Sequence, residues 1–175
     1  MELWDLYDSE EKMTGEVFER THNSSLNIPN GRYHLVCDIL VKHTDGTYLL
    51  CRRDLNKDSY PGFWEASAGG AAQLGEDPLA CAERELFEET GLHAERFELL
   101  NKSFNERSHS IVYSYITEVS CPKDAIVLQK GETIDYKWVD AKGLIENSES
   151  DLAVSTKVAR YQAFYDQLRQ QIAYQ

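Results

Sequence analysis

Apolar and polar residues alternate along several short segments of the chain. Alternation with a period of two predicts β-strands with one buried face. In the strongest such segment, residues 33–42, one face would hold Tyr33, Leu35, Cys37, Ile39 and Val41. Asp45-Gly46 is a hairpin signal that should join this strand to the next. Further strands are predicted at residues 3–7, 47–53, 94–104, 109–119 and 133–139.

Two other segments place their apolar residues at helical spacing. Asp77 is a suitable N-cap before Pro78 and Gly91 is a typical stop, so we predict a helix over residues 78–90. Its buried stripe would hold Leu79, Ala82, Leu86 and Thr90. A final helix, capped by Ser155, would bury Val158, Tyr161, Tyr165, Leu168 and Ile172. Shorter helical turns are predicted at residues 16–22 and 140–146, and loops at residues 8–15, 23–31 and 54–62.

Strands on both sides of a central helix, followed by a C-terminal helix, predict an α/β fold. We expect an α/β/α sandwich in which a mixed β-sheet lies between helices. A chain of 175 residues is long enough for a full hydrophobic core, so residues 1–175 are predicted to form a single domain. Residues 1–31 are too few for a core of their own and should pack on that domain as an N-terminal extension.

The acidic composition limits the classes of partner. Thirty acidic and 18 basic residues give a net charge of −12, which argues against nucleic acid and against an anionic membrane. An anionic substrate would need local positive charge from bound metal and arginines. The first residues lack the apolar segment of a signal peptide, and no apolar run approaches the length of a membrane span. With four scattered cysteines that show no metal-ligand spacing, we expect a cytoplasmic protein with free thiols.

The helix at residues 78–90 carries an acidic face beside its apolar stripe. Glu85, Glu88 and Glu89 are spaced i, i+3 and i+4, so their carboxylates are neighbours and repel one another. A hard divalent cation such as Mg²⁺ would relieve this repulsion, because it prefers oxygen ligands and is usually shared with substrate phosphates. Arg84 lies four residues before Glu88 and can orient a carboxylate.

The spacing around this helix resembles the Nudix box. Gly70 is followed after five residues by Glu76, and after seven more by residues 84–92, RELFEETGL. The resemblance implies the Nudix fold and hydrolysis of a nucleoside diphosphate linked to another group, assisted by Mg²⁺ or Mn²⁺. It implies Glu88 and Glu89 as metal ligands and Glu85 as a further ligand or the general base. Arg84 would orient the glutamates, and the carbonyl of Gly70 would be an additional ligand.

Outside the box, the resemblance indicates further candidates. Glu132 matches a position where many family members place another metal-binding carboxylate; it could equally be an exposed loop charge. Arg52 and Arg53 end the strand where similar proteins place an arginine that contacts phosphate, and Arg53 is our choice. Strand alternation would turn one of the two inward and the other to solvent. Tyr60 lies in a loop where it could contact substrate. The diphosphate substrate itself stays open, and a homodimer is a hypothesis only.

Two alternatives to a hydrolase follow from the wider resemblance. Residues 2–140 are similar to Nudix proteins grouped with isopentenyl-diphosphate isomerase, which moves a double bond. That isomerase has an active-site cysteine just before the box, whereas residues 64–68 here contain none, and we expect the four cysteines to lie elsewhere. The second alternative is a nucleotide-sensing Nudix domain without turnover. Such domains commonly lose box glutamates, and this chain keeps them.

Overall fold

A computed structural model describes residues 2–21 and 27–174, so His22 and part of the loop predicted at residues 23–31 lie outside the described residues. The strands within these ranges are β1 (Leu3–Tyr7), β2 (Met13–Glu19), β3 (His34–His43), β4 (Tyr48–Arg53), β5 (Trp64–Ala66), β6 (Ala68–Ala71), β7 (Glu98–Asn105), β8 (Ser110–Val119) and β9 (Thr133–Val139). The helices are α1 (Pro78–Thr90), α2 (Ala141–Ser148), α3 (Ser155–Arg160) and α4 (Gln162–Ala173).

Strand β3 organises the main, mixed sheet. Its strand order is β5-β4-β3-β8-β7, with β6 also paired to β3 and β9 to β4. The β3–β8 pair is parallel, and the other pairs in this sheet are antiparallel. The β3–β6 pairing sets Cys37 opposite Gly70 and Asp38 opposite Gly69. The centre of the sheet is therefore in register with the glycines that precede α1.

Helices cover both faces of this sheet, which confirms the predicted α/β architecture. The five alternate residues predicted for one face of β3 pack with Cys81, Ala82 and Leu86 of α1 in one core. On the other face, Leu40 packs with α2 and α4 in a second core that includes Leu144, Tyr161, Tyr165 and Leu168. These two cores hold α1 and the C-terminal helices in fixed positions on opposite sides of β3.

The N-terminal segment differs from the prediction. Residues 16–22 were expected to form a helical turn, but residues 13–19 are strand β2, antiparallel to β1. The hairpin packs through Trp4 and Leu6 of β1 against Ile28, with Phe18 at the edge of this cluster. Pairing with β1 satisfies the backbone hydrogen bonds of this segment, so tertiary contact overrides its weak local helical preference.

Three further predictions about the helices need correction. Leu79 of α1 is 47% exposed, and Cys81 takes its place in the buried stripe because the helix faces β3 and β6 at a slightly different angle. The final helix is divided into α3 and α4 at Tyr161. Ser155 is the first residue of α3, and the N-cap position belongs to Val154 without a side-chain cap.

No helix within residues 2–21 and 27–174 is long and apolar enough to span a membrane.

Candidate active site

Local interactions fix both ends of α1. The Asp77 carboxylate accepts a hydrogen bond of 2.8 Å from the N–H of Ala80, and Pro78 occupies the first turn, as the sequence predicts. At the other end, Gly91 has a φ of 72° and donates its N–H to the carbonyl of Phe87. Because both ends are fixed and one stripe is buried, the acidic face of α1 has a set direction.

The guanidinium of Arg84 gathers the carboxylates of this face. Its Nη1 lies 2.7 Å from Glu85 Oε1 and 3.1 Å from Glu88 Oε2. Its Nε and Nη2 bond both oxygens of Glu76, at 2.7 and 2.9 Å, and Nη2 also donates to the carbonyl of Ala71 at 3.0 Å. Three carboxylates and one carbonyl thus share a single cation, which orients the acidic side chains toward the loop before α1.

Two glycines let strand β6 approach the glutamates closely. A Cβ at Gly70 would lie against the Glu85 carboxylate, inside the 3.0 Å that real Cβ atoms keep. The N–H of Gly69 donates to Glu89 Oε2 at 3.3 Å. Glycine is needed at position 70 because any side chain would displace Glu85. The backbone of β6 and two glutamates of α1 therefore form one surface.

Burial perturbs the acidity of these glutamates. Desolvation raises the pKa of Glu85 despite the opposing contact with Arg84. Desolvation also raises the pKa of Glu89 to about 8, with Lys157 as the main opposing charge. Burial works in the same direction at Glu76, but hydrogen bonds from Arg84 and from the N–H of Gln73 outweigh it and lower that pKa. The charged forms of Glu85 and Glu89 thus lack compensation from protein partners alone.

This arrangement suits a divalent cation. Among the described residues, one oxygen each of Glu85, Glu88 and Glu89 has no hydrogen-bond partner. No three acidic, histidine or cysteine side chains in residues 2–21 and 27–174 already converge on a metal position. Arg84 forms ion pairs with Glu85 and Glu88, and these pairs help to keep the carboxylates from converging on one point. Carboxylates with free oxygens beside a glycine backbone match the oxygen-rich donor set that Mg²⁺ prefers.

A cavity of about 950 Å³ lies next to these carboxylates. Its wall includes four of the five predicted metal ligands, which are Gly70, Glu85, Glu88 and Glu132, and it also includes Arg84. Glu89 is not part of this wall among the described residues, and it accepts a hydrogen bond from the N–H of Gly69. Lys57 holds Glu132 Oε2 at 2.5 Å, so Glu132 is a cavity-facing ion pair rather than a free loop charge.

The predicted substrate contacts outside the box have other partners. Neither Arg52 nor Arg53 lines the cavity within the described part of the chain. The guanidinium of Arg53 pairs with Glu65 at 3.0 Å and bonds the carbonyl of Ser59, while Arg52 bonds the carbonyl of Gly62. Strand alternation predicted that one arginine would point inward and the other to solvent. Instead, both arginines bond backbone carbonyls of the loop at residues 54–62.

Tyr60 also lies outside the cavity wall among the described residues. Its hydroxyl is 3.2 Å from Ser155 Oγ, and its ring meets Phe63 edge-on. The neighbouring Asp58 and Ser59 face the cavity instead. The loop at residues 54–62 therefore borders the cavity through Asp58 and Ser59 and not through Tyr60, the residue that we predicted.

A buried ionic cluster behind the cavity was missed from the sequence. Lys157 of α3 lies 2.8 Å from Glu65 Oε2 and 3.4 Å from Asp38 Oδ1. Burial works to lower the pKa of Lys157, but the charges of Glu65, Asp38 and Glu89 outweigh it and raise the pKa. Arg160 pairs with Asp38 at 2.5 Å and lines the cavity. The only signal in the sequence was Asp38, an acidic residue in a strand otherwise rich in apolar residues.

The cysteines lie closer to the site than predicted. Cys37 and Cys81 are buried with their sulfur atoms 3.0 Å apart, and Cys81 Sγ is 3.7 Å from the carbonyl of Gly70. The expectation that no cysteine lies near the segment before the box is therefore wrong, because the β3–β6 pairing sets Cys37 opposite Gly70. The hydrogen bond to Cys81 and burial raise the pKa of the Cys37 thiol, which disfavours the reactive thiolate.

Comparison with known proteins agrees with this geometry. The family model of the NUDIX domain matches residues 32–159. An uncharacterised Nudix hydrolase of Listeria monocytogenes is 31% identical over 82% of this chain and 83% of its own. Isopentenyl-diphosphate Delta-isomerase of Salmonella heidelberg is 28% identical over 79% of this chain and 77% of its own.

A solved structure extends the likeness to the whole fold. Protein DR0079 of Deinococcus radiodurans superposes with a TM-score of 0.68 at 19% identity, covering 97% of this chain and 98% of that one. This neighbour supports the fold, while the matched domain and the Listeria relative establish the family. The chain belongs to the Nudix hydrolases, which act on pyrophosphate bonds.

Proposed function

We propose that this protein is a Mg²⁺- or Mn²⁺-dependent hydrolase that cleaves the pyrophosphate bond of a nucleoside diphosphate linked to another group. The observation that carries the proposal is the set of glutamates on α1, gathered by Arg84 at the wall of a 950 Å³ cavity and pressed against the Gly70 backbone. A cavity of this size can hold a small diphosphate molecule.

The protein groups would divide the work as follows. A bound divalent ion would offset the charge of the diphosphate and lower the pKa of the attacking water. Glu88 and Glu89 would hold that ion, with the carbonyl of Gly70 and the carboxylate of Glu132 as further ligands. Glu85 would be another ligand or the base that accepts the proton of the water. Arg84 would keep Glu85 and Glu88 in position, since it already bonds both.

The proposal is tested by turnover of a substrate panel in Mg²⁺, in Mn²⁺ and in EDTA. The panel contains ADP, ADP-ribose, UDP-glucose and a dinucleotide, with nucleotide and phosphate release as readouts. We expect metal-dependent cleavage of at least one compound. In Glu88→Gln or Glu89→Gln, kcat should fall by about a hundredfold or more, beyond the loss typical of outer-shell partners of metal ligands.

The matched control is Glu83→Gln, which removes an exposed carboxylate from the same helix. It should keep the wild-type rate, because Glu83 forms no hydrogen bond with Arg84 or with the backbone of Gly69 and Gly70 in the described structure. Wild-type turnover by either Glu88→Gln or Glu89→Gln at saturating Mg²⁺ would refute the metal assignment. Tight nucleotide binding without any cleavage would favour a sensing domain.

An isomerase is the second candidate, favoured by the similarity to isopentenyl-diphosphate isomerase and by the two sulfur atoms near Gly70. Against it, both thiols are buried, and the cavity wall is mostly polar. Isopentenyl diphosphate therefore belongs in the same panel, with the dimethylallyl isomer as the product to detect. Isomerisation without hydrolysis would replace the proposed reaction.

A further inference from the structure

The candidate site needs a cation for the phosphates of its substrate, and most of its arginines are committed elsewhere. All the N–H groups of Arg84 are used by carboxylates and by the carbonyl of Ala71. Arg20 lines the cavity but pairs with Glu2 at 2.7 Å and is largely exposed. Because the chain has a net charge of −12, a multiply charged anion depends on local positive charge at the site.

Arg160 is a cavity-lining cation with unused donors. Among the described residues its partner is Asp38, which it meets through Nη1 at 2.5 Å. Asp38 is only 1% exposed and is also paired with Lys157, so its position is fixed. A guanidinium has five N–H donors in a rigid fork, and most of those of Arg160 remain for a second anion.

The neighbouring residue immobilises Arg160. Tyr161, which divides α3 from α4, is 1% exposed, and its hydroxyl donates to the carbonyl of Tyr115 at 3.0 Å. The side chain of Arg160 itself is 17% exposed. The break between the two helices thus fixes the backbone at Arg160 while its guanidinium reaches the cavity.

A short chain of contacts links Arg160 to the metal-binding end. Asp38, which holds Arg160, lies opposite Gly69 in the β3–β6 pairing. A Cβ on Gly69 would come within 2.9 Å of Asp38 Oδ1, so the missing side chain leaves room for this carboxylate. The N–H of the same Gly69 bonds Glu89. Gly69 therefore contacts Asp38, which holds Arg160, on one side and the proposed metal ligand Glu89 on the other.

We propose that Arg160, held by Asp38, binds a phosphate group of the substrate and thereby completes the diphosphate subsite from the C-terminal helices. This role is the one that the sequence had suggested for Arg53. The inference rests on the proposed function, since it assumes a diphosphate in the cavity. It predicts that the C-terminal helices contribute directly to substrate affinity.

The experiment measures binding without requiring turnover. Methylenediphosphonate, a diphosphate analogue that cannot be hydrolysed, is titrated by calorimetry with Mg²⁺ into wild type and variants. We expect Arg160→Met to weaken binding about tenfold or more, and Arg160→Lys to lie between the two because it keeps the charge but loses the fork. Arg169→Met, which removes a partly exposed arginine of α4 outside the cavity wall, should bind like wild type.

Binding separates this inference from the proposed reaction. Loss of affinity in Arg160→Met supports the inference even if no member of the panel is hydrolysed. Unchanged affinity in a folded Arg160→Met protein would overturn it, whatever the enzyme cleaves, and would leave Arg160 as a clamp between α3 and β3. Failure of the wild type to bind the analogue would overturn it as well. If Arg160→Met does not fold, Arg160→Lys is the test. Wild-type affinity for the analogue in Arg160→Lys would overturn the inference that the guanidinium binds phosphate, and a several-fold loss of affinity would support it.

Where a substrate is found, kinetics give a second readout. Loss of a phosphate contact that is made in both the ground state and the transition state raises KM and leaves kcat nearly unchanged. A merely structural role would lower the melting temperature and leave KM unaffected in the folded fraction. A rise in KM for Arg160→Met, absent from Arg169→Met, is the expected result.

Discussion

At the scale of single residues, the site depends on how many hydrogen-bond partners each charged group has. Arg84 is saturated by oxygen acceptors, so it orients carboxylates and has no donor left for substrate. Glu89 has one backbone donor and a pKa raised to about 8 by burial. A divalent ion would supply the missing positive charge, and its binding would release a proton at neutral pH.

Cys81 provides a residue-scale prediction that separates hydrolysis from thiol chemistry. Cys81→Ser should leave kcat within a few-fold of wild type, because the thiol is buried and has no role in activating water. Stability should fall by about 1–2 kcal/mol, since a hydroxyl replaces sulfur in an apolar core. Initial rates at saturating Mg²⁺ and a denaturant titration check both parts. Cys121→Ser, at a less buried cysteine away from the box, is the control. A folded but inactive Cys81→Ser enzyme would restore the thiol mechanism.

At the scale of elements, α1 was predictable because its signals are local. The Asp77 cap, the Gly91 stop and the glutamate spacing all act within a few residues, and the structure keeps each of them. The exact buried stripe was less predictable: Leu79 is exposed and Cys81 buried, since that choice depends on where β3 and β6 lie. The prediction of a helical turn in place of strand β2 was wrong for the same reason, because pairing with β1 decides the conformation of this segment.

The helix cap gives an element-scale prediction. Asp77→Ala removes the acceptor of the Ala80 N–H and should destabilise the protein by about 1 kcal/mol. Activity per folded molecule should be nearly unchanged, because tertiary packing still holds α1 on β3. Chemical denaturation and kcat are the measurements, with Asp77→Asn as the control that keeps an acceptor. Unchanged stability in the alanine variant would mean that the cap contributes nothing beyond this packing.

At the scale of the whole molecule, distant segments meet in one cavity. The N-terminal hairpin contributes Trp4 and Arg20, α1 contributes its glutamates, and α3 contributes Arg160. Trp4 stacks on His34 of β3 with ring centroids 4.1 Å apart and planes at 8°. Burial, partly opposed by the hydrogen bond that His34 Nδ1 donates to the carbonyl of His109, lowers the pKa of His34 to about 4.

This packing makes stability depend on pH in a defined window. Between about pH 6.5 and 4, the unfolded chain binds a proton at His34 that the folded protein does not bind, so stability is lost as pH falls. His34→Gln should remove this component, which amounts to at most roughly 3 kcal/mol. Denaturant titrations of both proteins at pH 7, 5.5 and 4 give the difference. Parallel curves for wild type and variant would show that His34 titrates normally in the fold.

The sequence by itself determined the box, the helix that carries it, most strands and the family. Helix caps, i, i+4 spacing and strand alternation are properties of neighbouring residues, so they can be read without knowing the fold. Tertiary structure alone decided that Arg160 lines the cavity and Arg53 does not. Asp38 and Arg160 are 122 residues apart in the chain, and only the β3–β6 register and the break at Tyr161 bring them together beside Gly69. Arg53, nearer in sequence to the box, is instead neutralised by Glu65, since strand pairing sets their side chains together.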